Sequence, residues 1–190
     1  RSQFEGRLPA YPSKVRDLHY VNRVVLQGVS LPTHAQWVLA LQEMLADLGP
    51  AHEVNVVLVL TGEPDPQYAE ALRAHWLGGK KNDVVVVIGT DEVTIQWVRV
   101  FSWTEKELFK VQLRDDLAKM PFLAIEPIIT ILRTHIENGF VRKPMQDFEY
   151  LKNEIEPPLW LTILLGFIAA AASVGTSIAF ARNSFGTRRI

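Results

Sequence analysis

The sequence predicts an α/β fold, a small three-layer α/β/α sandwich with a mixed sheet, followed by a single C-terminal transmembrane helix. Residues 54–60 and 84–88 are apolar, β-branched runs, the pattern of strands covered by helices on both faces. The segment between them has helical periodicity and supplies the crossover that joins two parallel strands. Residues 157–181 carry no formal charge. At a rise of about 1.5 Å per residue, the roughly 23 residues from 159 to 181 cover about 34 Å, enough to cross a hydrocarbon core of about 30 Å.

Each element follows from its local pattern. Residues 1–18 read as an extended N-terminal arm, polar and broken by Pro9 and Pro12. An α/β domain over 19–140 opens with a short strand at 21–26. Thr33 and Gln36 have capping-box spacing, and Trp37, Leu41, Met44, Leu45 and Leu48 give the next helix one buried face before Gly49 and Pro50 end it. After the 54–60 strand, Asp65 followed by Pro66 fits an N-cap with proline in the first helical position. Tyr68, Leu72 and Trp76 line one face of that helix, and Gly78-Gly79 closes it. The 84–88 strand turns at residues 89–92 into a strand at 94–101, where the apolar residues change phase between Trp97 and Val98. Thr104 and Glu107 repeat the capping-box spacing ahead of a helix carried by Leu108, Val111, Leu113 and Leu117. The last helix of the domain covers 125–138, with Gly139 as its stop.

Residues 141–158, with Pro144, Pro157 and Pro158, form a semi-rigid linker to the span at 159–181, and 182–190 is a basic tail. Glu149, Glu154 and Glu156 precede the span, with Lys152 among them, and Arg182, Arg188 and Arg189 follow it. By the positive-inside tendency the tail faces matrix, stroma or cytosol, and the domain faces the intermembrane space, lumen or periplasm. Trp160, Phe180 and Phe185 lie at headgroup depth. The chain opens at Arg1, which reads as a fragment start or as the end left by a removed targeting segment, and an organellar inner membrane is favoured over a bacterial plasma membrane.

A net charge of −1, with no basic stripe outside the tail, offers no footprint for nucleic acid. The absence of cysteine excludes disulfides, thiolate metal sites and cysteine nucleophiles. His19, His34, His52, His75 and His135 are scattered one per element, without metal-ligand spacing. Gly78-Gly79-Lys80-Lys81 follows a helix and precedes a strand, the reverse of a phosphate loop, and reads as a helix C-cap.

Two sets of residues are candidates for function. Parallel pairing of the 54–60 and 84–88 strands places Glu63 and Asp65 near Asp91 and Glu92 at the carboxyl-end rim, where α/β sheets bind ligands. Four carboxylates there suit a hard cation such as Ca²⁺, and equally suit solvated turns with Asp65 as an N-cap. No other cofactor is implied. In the span, Ala169, Ser173 and Ser177 recur every four residues, as do Ala171, Gly175 and Ala179. Small residues let helices approach closely in lipid, and we read these positions as one broad face for a partner helix.

Tyr68-Ala69, then residues 76–83 running into the 84–88 strand, with the 94–100 strand after it, resemble the core of the TPM domain family. The resemblance covers roughly residues 21–117. It implies an extracytoplasmic α/β/α domain with a C-terminal membrane helix, as in the thylakoid lumen proteins of photosystem II repair, and for some relatives acid phosphatase activity or calcium binding. Two positions depart from the family pattern. Arg23 follows Asn22 where the family carries an aspartate, and Phe101-Ser102-Trp103 replaces a glycine-aromatic-glycine turn. An arginine repels a cation, and a bulky turn keeps ligands from the backbone. The expected function is therefore a non-catalytic accessory or assembly subunit of a membrane complex, its partners the lipid bilayer and other membrane-protein subunits. The alternative is a membrane-tethered acid phosphatase-like hydrolase or a calcium-dependent regulator.

Overall fold

The computed structural model describes residues 3–12, 20–144 and 159–182, with the side chains of Ala181 and Arg182 excepted. His19, the proline pair 157–158, the acids ahead of the span, and Phe185, Arg188 and Arg189 lie outside the described residues. The chain divides into two compact units, Arg1–Lys143 and Pro144–Ile190.

In the first unit the elements run β1 (Val24–Gln27), α1 (His34–His52), β2 (Asn55–Thr61), α2 (Gln67–His75), β3 (Asp83–Thr90), β4 (Ile95–Ser102), α3 (Glu107–Ala118) and α4 (Ile125–Gly139). The four strands form one sheet in the order β1-β2-β3-β4. The first three are parallel, and β4 closes the sheet as an antiparallel partner of β3. This is the mixed sheet that the sequence predicts.

Every residue of β2 and β3 is buried, because alternate side chains feed two separate cores. Val56, Leu58, Leu60, Val84, Val86 and Ile88 face α1, α3 and α4. Val57, Val59, Val85 and Val87 face α2, where Tyr68, Ala69, Leu72 and Trp76 cover them. One helix is too narrow to cover that face alone. Phe4 is buried in the same cluster, with Leu8 and Tyr11 packed against it. Residues 3–12 are thus a strap over the sheet and not a free arm.

Several boundaries move for identifiable reasons. β1 starts later than expected because Tyr20 and Asn22 adopt positive φ of 51° and 59°, which turns the chain before Val24. α1 runs through Gly49 and Pro50 to His52 and ends on Glu53 in the left-handed conformation, φ 50°. Pro50 forfeits one hydrogen bond in the final turn and otherwise keeps helical geometry. The change of phase in β4 is a β-bulge: Gly89 pairs with Trp97 and Thr90 with Ile95, leaving Gln96 as the extra residue. Ile95, Val98 and Val100 consequently face one core, and Trp97 and Phe101 the other.

Neither capping box forms. Thr33 and Lys106 stand at the starts of α1 and α3 without a side-chain cap. Thr104 is buried and its hydroxyl donates to the Val141 carbonyl at 2.9 Å. α3 buries Phe109, Leu113 and Leu117, whereas Leu108 and Val111, expected in the core, are exposed. Its four-residue row packs beside the equivalent row of α4, Ile128, Leu132 and Ile136. Residues 141–143, expected in the linker, belong to the first unit: Arg142 bridges to Thr104 and pairs with Glu53.

The second unit holds α5, Leu159–Arg182. Its stretch Leu159–Phe180, 22 residues with a mean hydropathy of 2.0, is long and apolar enough to cross a membrane, and none of it is buried within the chain. A core helix of a soluble domain is apolar because it is covered. α5 is apolar and uncovered.

Candidate functional site

The carboxyl ends of β2 and β3 lie side by side, with Thr61 in register with Gly89, so the loops bearing the four candidate carboxylates do leave neighbouring strands. They do not converge on a cation. Glu63 is held by Arg7 of the strap at 2.5 Å. Asp65 accepts the Gln67 amide at 2.9 Å and the Gln3 side-chain amide at 3.0 Å, while Pro66, expected in the first helical position, stands at the N-cap of α2. Asp91 accepts the Val93 and Thr94 amides at 3.0 and 2.6 Å and the Thr94 hydroxyl at 2.8 Å. Those bonds, the Thr94 amide foremost, hold its carboxyl below the ordinary range. Glu92, at φ 78°, accepts the Ser30 amide at 2.8 Å and so ties the β3–β4 turn to the loop after β1. Among the described residues no three His, Cys, Asp or Glu side chains gather as a metal site. Glu63, Asp65, Asp91 and Glu92, expected together as a cation rim, thus stand in four separate contacts, three of them with partners from distant segments.

The buried polar chemistry sits at the opposite, amino end of the strands. Arg23, 1% exposed, donates from Nε to Asn55 Oδ1 at 2.6 Å and from Nη1 to the Val21 carbonyl at 2.5 Å. Asn55 passes the chain on, its Nδ2 donating to Asp83 Oδ1 at 2.8 Å. Asp83 Oδ2 accepts the Lys80 amide at 2.7 Å and the Tyr11 hydroxyl. Burial, and then Asp83, push the Tyr11 phenol well above its ordinary value, so it remains a donor. Arg23 is thus the start of a network joining the strap, β2 and β3. Sequence reading missed this set. Its signals were Asn55 inside an apolar strand and Asp83 at the mouth of another, two polar groups where burial demands a partner.

Elsewhere the structure resolves single residues. Gly78 and Gly79 have φ of 80° and 81°, and the Gly78 amide donates to the Arg73 carbonyl at 2.8 Å, which is a helix C-cap as expected. His135 Nε2 lies 2.9 Å from Asp116, itself paired with Lys119, on the outer surface of α3 and α4. Those two partners, Lys119 first, depress the Asp116 carboxyl.

No known family, curated protein or solved structure matches this chain.

The second candidate set lies on α5. At 3.6 residues per turn, positions two apart point about 200° away from each other. Ala169, Ser173 and Ser177 are therefore on the opposite side of the helix from Ala171, Gly175 and Ala179. The single broad face read from the sequence becomes two rows. The first row continues through Thr162, Gly166 and Ala170, so it is small from Thr162 to Ser177, with Leu159 and Phe180 at its two ends; the second is interleaved with Leu164 and Ile168. Ser177 Oγ and Thr176 Oγ1 donate to the Ser173 carbonyl at 2.8 and 2.9 Å. Those two hydroxyls are thereby satisfied inside the helix.

Proposed function

We propose that the chain is a non-catalytic accessory or assembly subunit of a multi-subunit membrane complex. α5 spans the bilayer and packs against a partner helix through the Thr162, Gly166, Ala169, Ser173 and Ser177 row, and the α/β domain stands on the non-cytoplasmic side. The observation that carries this reading is a 22-residue apolar helix with none of its length buried by its own chain. One side of it is small from Thr162 to Ser177, which favours close helix contact over contact with lipid tails there. The α/β/α layering followed by an apolar helix also supports a TPM-like organisation. At the carboxyl-end rim, Glu63, Asp65, Asp91 and Glu92 each accept a bond from within the chain.

Two glycines separate packing from anchoring. A Cβ at Gly166 or at Gly175 meets nothing within 4 Å, so a larger side chain at either position changes only what the helix presents outward. Gly166→Leu is expected to abolish co-purification with the partner subunits in mild detergent while leaving membrane insertion intact. Gly175→Leu, on the other row, is expected to change it little. Normal assembly of Gly166→Leu would overturn the packing assignment.

A further inference from the structure

The end of the sheet opposite the acidic rim carries a cavity that the assembly role does not use. β4 ends at Ser102, in register with Val84 at the start of β3, and the chain then passes over the end of α2 through Trp103. Gly78 permits this crossing, since a Cβ there would come within 3.0–3.1 Å of the Trp103 indole. The indole separates two connected compartments of different character.

The inner compartment, about 100 Å³, is lined by Arg73, Ser102, Thr104, Lys110 and Lys143, with one acid, Glu107, also in the lining. At about 30 Å³ per water in the liquid, that is room for about three waters, the scale of one tetrahedral oxyanion. Three cations flank it. Two have acidic neighbours, Glu107 at 2.5 Å from Lys110 and Glu70 at 3.6 Å from Arg73, and both acids are mostly solvent-exposed, 74% and 66%. Exposed pairs of this kind contribute little and yield readily to a better anion. Ser102 Oγ is shielded from solvent and has no hydrogen-bond partner among the described residues, an arrangement that is unfavourable when nothing occupies it. The first turn of α3, which has no side-chain cap, adds its positive dipole end beside Glu107.

The outer compartment, about 460 Å³, is an open groove walled by Ala74, Leu77, Gly78 and Trp103, with Glu70 and Arg73 along it. Leu77 is 84% exposed and held at φ 53°, an uncommon conformation for a leucine, which presents an apolar side chain to solvent. Leu77 and Trp103 give this groove an apolar stretch next to the cations of the inner compartment.

We propose that these two compartments bind a phosphate ester with an apolar remainder: the phosphate group between Lys110, Lys143 and Arg73, with Ser102 donating after rotation of its hydroxyl, and the remainder against Trp103 and Leu77. A phospholipid headgroup and a soluble phosphate ester share this chemistry. The assignment is independent of the assembly role.

The test titrates the full chain, in non-ionic detergent, with dihexanoyl phosphatidate and with phenyl phosphate, each beside its uncharged counterpart, dihexanoyl glycerol or phenol. Saturable binding of the charged probe is expected, at least tenfold tighter than the uncharged one and weakening as salt rises. The tighter of the two charged probes identifies the source. Lys110→Gln and Lys143→Gln should each lose about tenfold in affinity at unchanged melting temperature. Lys119→Gln, on the outer surface of α3, should bind as wild type. No saturable binding of either charged probe, or equal binding by the Lys110 and Lys143 variants and the wild type, would overturn the proposal.

Discussion

Replacing Asp83 with alanine tests the network that ties the strap to the sheet. Asp83 is 1% exposed and accepts three hydrogen bonds, from Asn55 Nδ2, the Lys80 amide and the Tyr11 hydroxyl. Bonds to a charged acceptor contribute about 1.5–3 kcal/mol each, and they do not add independently. The alanine also interrupts the buried chain that runs from Arg23 through Asn55. Removing one partner of a buried ionic cluster costs about 3–5 kcal/mol. We take about 4 kcal/mol, which for a unit of this size is a fall of about 12–16 °C in the melting temperature. Asp83→Asn keeps the shape and one acceptor and should lose about half as much. Tyr11→Phe alone should cost about 1 kcal/mol, and should cost nothing further in the Asp83→Ala background, because its partner is already gone. The assay is chemical and thermal unfolding of the full chain followed by near-ultraviolet circular dichroism. A loss below about 1 kcal/mol for Asp83→Ala would refute the reasoning, since the three donors would then have found other partners.

Three further outcomes follow from the same geometry. Gly89→Ala should destabilise the domain by about 1–3 kcal/mol, because the added methyl overlaps the Trp97 indole, whose Nε1 donates to the Glu63 carbonyl at 2.9 Å; unfolding titrations read the change. Burial, and then Glu63, push the Tyr68 phenol up to about 12, and Tyr11 is raised as well. Both phenols ionise in the unfolded chain near pH 10 while staying neutral in the fold, so their contribution is complete below pH 10 and declines from there to about 12. Denaturation midpoints at pH 9 and 11 should therefore differ, and the Tyr11→Phe, Tyr68→Phe double variant should flatten that difference. Calcium at millimolar concentration should leave the melting temperature unchanged, since the four rim carboxylates are engaged separately; a rise of several degrees would restore the cation site.

The elements that could be read from the sequence are those whose pattern is local. β2 and β3 announce themselves by double burial, and Trp37, Leu41, Met44, Leu45 and Leu48 of α1 by helical spacing; all of these side chains are buried. The phase change near Trp97 was visible, and the structure gives it a cause in the bulge at Gln96. What failed was anything a distant segment decides. Thr104 looks like a cap until Val141, far along the chain, claims its hydroxyl. The arm looks polar and free, yet Phe4 fills a gap that α2 is too narrow to close. The rim acids were placed on the right loops, but their partners, Arg7, Gln3 and Ser30, come from other parts of the chain. On α5 the four-residue spacing was read correctly, and only the relative phase of its two rows required the helix itself.

The most direct test of the assembly role is photo-crosslinking in the native membrane, with a photoreactive residue placed in turn at Ala169, Ser173 and Ile168. The account expects Ala169 and Ser173 to capture a helix of another subunit and Ile168 to capture lipid. Lipid adducts alone at all three positions would contradict it and leave α5 as an anchor.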